Sequence, residues 1–119
     1  MSIEKRNIFE ALLTASVLVH LDPRRSGVVV PAQYTKQPVL VLHVGMNLAR
    51  RIDDLLVDEQ GFSCTLSFVQ QPFYCTVPWF SVFAFVDPLT NKPVEIWHDD
   101  APPEIRTTIP KSASKAAPS

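Results

Sequence analysis

Three histidines, His20, His43 and His98, two cysteines, Cys64 and Cys75, and the acid pairs Asp53-Asp54, Asp58-Glu59 and Asp99-Asp100 are the residues of this sequence most able to do chemistry. No two of the histidines have zinc-site spacing, and His-Glu-x-x-His is absent. His98-Asp99-Asp100 has the composition of a metal cluster, but acids opening a polar segment usually keep a surface wet. Neighbours on a strand point to opposite faces, so the adjacent carboxylates suit turns and rims better than acid–base work. No serine sits in a Gly-x-Ser-x-Gly elbow, and three glycines cannot build a phosphate-cradling loop. The expectation is a protein that is not an enzyme and uses no cofactor and no metal.

The cysteines belong to a more informative pattern. In Gly61–Phe68, Phe62, Cys64, Leu66 and Phe68 alternate with small polar residues, and Phe73, Cys75 and Val77 do the same further on. Strict alternation marks strands with one buried face. A hairpin turning at Val69-Gln70 sets Cys64 opposite Cys75, where a cross-strand disulfide or two buried thiols are both open; in a reducing compartment the thiols are favoured. The aromatics Phe62, Phe68, Phe73, Trp79, Phe80, Phe83, Phe85 and Trp97 exceed what one face of a small barrel needs. That surplus, beside polar positions such as Thr65 and Ser67, suits a groove for an extended peptide. An Sm-like RNA-binding module is the alternative, but base stacking comes with interleaved Lys and Arg, and Phe62 to Trp79 has neither.

The elements that must position these residues follow from periodicity and turn chemistry. Ile3 to about Leu13 reads as a helix capped by Ser2, with Ile8, Phe9, Leu12 and Leu13 as its apolar stripe. Val17–Leu21 is a strand, Asp22–Gly27 a turn and Gly27–Pro31 a short strand ended by proline. Val39–Val44 reads as the most buried strand, apolar on both faces apart from His43 at its end. Gly45–Arg51 is a loop, Leu55–Val57 a strand and Asp58–Gly61 a hairpin turn. Pro78–Ser81 bends the chain as a single helical turn before the core strand Val82–Val86. Asp87–Pro93 is a loop and Val94–Trp97 a last strand. The sum is a mainly β fold: a small barrel or sandwich of six to eight strands, a short N-terminal helix and a flexible tail. The domain is expected to span 1–98 and the tail 99–119.

Composition bounds the rest. The chain has 119 residues, 46% hydrophobic residues and a net charge of −1, which suits one soluble domain. Near-neutral charge argues against nucleic acid as a partner, since such binders carry a basic face. Apolar runs are strand-sized, so no membrane partner is expected. The N-terminus lacks the order of a signal peptide, and a cytoplasmic location is the expectation.

Several segments resemble the stringent starvation protein B family, adaptors that deliver substrates to the ClpXP protease. They are Val19–Pro31, Val39–Val44, Gly61–Phe68 and Pro72–Val86. Their order and spacing carry the resemblance, and the chain looks most like divergent members described as specificity-enhancing factors. The resemblance implies a small Sm-like or SH3-like barrel, often a homodimer through the N-terminal helix. It implies a groove for the degradation-tag peptide of stalled-ribosome products and a C-terminal segment that docks on the ClpX unfoldase. The adaptor tethers tag and unfoldase and does no covalent chemistry.

Carried onto this sequence, the resemblance assigns peptide binding to Gly45, Met46 and Asn47 after the apolar strand, Thr65 and Ser67 on the alternating strand, and Phe85 and Val86 at the end of the later core strand. Ser67 stands where the family has a basic residue, and Ala49-Arg50-Arg51 could replace that charge. The family's docking segment is basic and apolar. Here the last residues are Ser-Lys-Ala-Ala-Pro-Ser, and the nearest match is Ile105–Lys111.

Overall fold

A computed structural model describes residues 2–45 and 52–106, with side chains from Glu4 onward. Helix α1 (Ser2–Leu12) leads into β1 (Ser16–Leu21). The later strands are β2 (Leu40–Gly45), β3 (Leu56–Val57), β4 (Gly61–Phe68), β5 (Gln71–Pro78), β6 (Val82–Val86) and β7 (Pro93–Ile96), followed by the short helix α2 (Pro103–Arg106). They form two antiparallel sheets, ordered β2-β1-β6-β7 and β3-β4-β5. No ladder joins the sheets among the described residues, so the expected barrel is not closed.

The sheets share a core seamed by α1. Phe9 is fully buried, and its ring stacks on Phe62 of the smaller sheet at 4.6 Å and meets Phe85 of the larger at 5.9 Å. Trp79 closes the cluster at 5.4 Å, and its indole N–H donates to the Asp58 carbonyl at 2.9 Å, so this large buried side chain leaves no donor unmet. A second cluster lies on the opposite face of the larger sheet, where Ala101, Ile105 and Val39 pack with Phe83, Ala84 and Ile96. Cover on both faces explains why every residue of β6 is buried.

Three expectations change. Residues 27–31 do not extend as a strand. Only Val29 pairs, exchanging two backbone bonds of 2.9 and 3.0 Å with Thr76. Gly27 at φ 89° and the N–H-less Pro31 bracket that single bridge. β2 is not buried on both faces: it is an edge strand with alternating burial, and Val41 and His43 are exposed. The segment after His98, expected to open the tail, is packed through Arg106. Ala101 is buried, and Arg24 forks between Asp22 and Glu104 with bonds of 2.8 to 3.2 Å. Arg24 lowers the Glu104 carboxyl to about 2. Residues 107–119 lie outside the described residues.

The turn at Val69-Gln70 falls where alternation places it. Both residues have positive φ, 50° and 67°, which matches the twist of a two-residue hairpin but disfavours a β-branched side chain.

Candidate functional site

β4 and β5 pair without a break from Gly61 opposite Pro78 to Phe68 opposite Gln71. Directly opposed residues share a face, so Ser63, Thr65 and Ser67 lie with Thr76, Tyr74 and Pro72. These outer residues run from half-buried to exposed, with Tyr74 at 47%. None is charged. The inner set is core at its root, where Phe62 and Cys64 are buried, and opens toward the turn, where Leu66, Phe68 and Phe73 are half-buried. There Phe68 sits 5.4 Å from Tyr34 and 6.5 Å from Phe73, ring centre to ring centre. At the root, a groove of about 360 Å³ runs past Gly27, Ser63, Thr76, Pro78 and Phe80.

The hairpin's edges differ. On β5 the backbone of Thr76 points outward to Val29, so by strand alternation Pro72, Tyr74 and Pro78 point the same way. The two prolines have no N–H to offer an added strand. On β4 the ladder with β3 reaches only Phe62 and Ser63. Beyond it the Thr65 N–H donates to Asp54 Oδ1 at 2.9 Å, and the Thr65 hydroxyl donates to Asp54 Oδ2 at 2.6 Å. The hydroxyl bond, then the amide bond, hold the Asp54 carboxyl below its ordinary range.

Cys64 and Cys75 are opposite each other, as the turn position requires, and both are free thiols. Burial pushes them up to about 12 and about 11, so they act as small core hydrophobes. Among the described residues, no three His, Cys, Asp or Glu side chains gather as a metal site.

The residues assigned to peptide binding fall into two groups. Gly45 pairs with Ser16, and Val86 with Leu18, so they flank β1 in the larger sheet. Val86 also lines a groove of about 240 Å³ with Leu12, Ala15, Leu89 and Val94. A Cβ at Gly45 would strike the Ala15 carbonyl, so close packing on β1 accounts for that glycine. Thr65 and Ser67 lie on the other sheet. Phe85 is fully buried, its ring 5.3 Å from Trp97, and offers no surface. Met46 and Asn47, like Arg50-Arg51, lie outside the described residues. Of the suggested docking segment, Ile105 packs in the second cluster and Arg106 donates to the Ala101 carbonyl at 2.8 Å; 107–111 lie outside the described residues.

The sequence reading missed Lys5 altogether and, for the rim acid Asp54, its bonds to Thr65. Lys5 is buried and donates to the carbonyls of Trp79 and Val82, at 2.8 and 2.6 Å, and to Asp100 Oδ2 at 2.6 Å. Three acceptors match the three N–H donors of an ammonium. Burial nevertheless draws its pKa below the ordinary lysine value, against the pull of Asp100. The spacing Lys5, Phe9, Leu13 was the available signal. Asp54 gave none, because its role depends on the register of β3.

No curated protein matches the chain. The family model described as stringent starvation protein B matches residues 6–118. With nearly the whole sequence covered, the chain belongs to the stringent starvation protein B family.

Proposed function

We propose that this protein is a non-enzymatic adaptor that holds the degradation-tag peptide of stalled-ribosome products and delivers tagged substrates to the ClpXP protease. Family membership supports the general adaptor role. The observation that carries the peptide reading is the outer face of β4–β5, an uncharged sheet surface that is partly open to solvent. Such a surface suits an extended chain, which binds through backbone bonds with side chains set in alternate pockets.

In this reading Thr65 and Ser67 contact the peptide from β4. Gly45 and Val86 contribute from the larger sheet, with Phe85 in the core behind them, and Met46 and Asn47 join them in the same role. The two sheets are then the opened halves of the Sm-like barrel that the resemblance implies. Tethering raises the substrate concentration at the unfoldase without any new contact to the substrate's fold. Docking on ClpX falls to residues after Arg106. A second copy pairs along the solvent side of α1, where Asn7, Glu10 and Ala11 are exposed. The working compartment is the cytoplasm.

Anisotropy titration of a fluorescent rescue-tag peptide tests the reading. Saturable binding is expected, with Ser67→Asp weakening it about tenfold by placing a charge on the uncharged face. Absence of saturation at high micromolar protein would sink it. The RNA alternative gains no support from this face, which has no cation to neutralise phosphate.

A further inference from the structure

β3 stops after two ladder pairs, Leu56 with Ser63 and Val57 with Phe62. Continued by two residues, the same register puts Asp54 opposite Thr65. The chain has left the ladder there, yet the Asp54 carboxylate still takes the Thr65 N–H at 2.9 Å and the Thr65 hydroxyl at 2.6 Å. The amide bond is the one a neighbouring strand's carbonyl would take. Resting on the peptide-binding reading above, we propose that Asp54 is a strand mimic that occupies the β4 edge and must release Thr65 before an extended peptide can pair there.

The chemistry favours selectivity. An open edge accepts almost any extended chain, and a carboxylate fastened to it discourages chance pairing. A peptide gains only the surplus of its own contacts over those of Asp54, so every partner is weakened by the same factor and only those with strong contacts of their own still bind. Once released, the carboxylate stands beside the bound chain and favours a side chain that donates hydrogen bonds, an amide, hydroxyl or ammonium, over an acid. Both Asp54 and its bonds to Thr65 are exposed, so the exchange needs no opening of the core.

The test compares wild type, Asp54→Asn and Asp54→Ala in the full chain, using a fluorescent synthetic rescue-tag peptide and amide hydrogen exchange at Thr65. Removing a charge-assisted competitor predicts about tenfold tighter binding for Asp54→Ala, with Asp54→Asn in between. The Thr65 amide is expected to exchange faster in free Asp54→Ala and to slow when peptide binds. Peptide binding that is unchanged or weaker in Asp54→Ala, or a Thr65 amide left unprotected by bound peptide, overturns the strand mimic while leaving the adaptor reading in place. No binding by any of the three proteins overturns both.

Discussion

The two sheets are covered to different degrees, and their polar groups differ accordingly. The β2-β1-β6-β7 sheet packs against the shared core on one face and against Ala101 and Ile105 on the other. Its neighbourhood holds Lys5, whose donors are all met across α1, the β5–β6 bend and the C-terminal strap. The β3-β4-β5 sheet is packed on one face only, and its polar contacts are part-buried, such as Ser63 with Thr76, or exposed, such as Asp54 with Thr65. Buried polar groups are costly to break, because a lost partner is not replaced by water; exposed ones exchange readily. Rigidity therefore resides in the larger sheet, and the contacts that water can replace in the smaller.

The hardest test acts on the seam. Phe9→Ala empties a site between Phe62 and Phe85 and is expected to cost about 4 kcal/mol by urea denaturation. Both sheets should melt together; an earlier loss of the β4–β5 amides would divide the molecule into two units. Lys5→Met acts on the larger sheet. It strands two carbonyls and an aspartate, and about 3 kcal/mol of destabilisation is expected, read as a lowered Tm. A cost under about 1 kcal/mol would mean that water reaches those carbonyls.

Leu66→Asp acts on the open end of the smaller sheet. From alternation alone it should unfold the domain, but Leu66 is only half-buried, and about 2 kcal/mol with retained circular dichroism is expected instead. Complete unfolding would show that this end is as closed as the larger sheet. The smallest effect is a gain. Val69→Asn with Gln70→Gly suits the positive φ of both turn residues and should add about 1 kcal/mol, because Val69 is exposed and loses no packing. A lowered Tm would contradict the left-handed turn.

Alternation made the hairpin legible down to its turn and its opposed cysteines, since a period of two fixes both face and register once the turn is known. The apolar run misled for β2. Val39–Val44 is apolar except for His43, but an edge strand needs only one buried face, and strand order is not a local property. Lys5 resisted reading because a charged side chain in an apolar stripe is ordinarily exposed. Here its acceptors come from residues more than seventy positions away.

What the sequence determined by itself is local: the helix, most of the strands, the hairpin and an outer face of small polar residues. Tertiary structure decided how these combine. It left the barrel open, packed residues 98–106 onto the larger sheet, and separated Thr65 and Ser67 from Gly45 and Val86. It also set Asp54 against Thr65. Periodicity records which side of each element avoids water. It carries no record of which distant backbone groups will meet a buried ammonium or a carboxylate at a sheet edge, because those pairings form only when the elements dock.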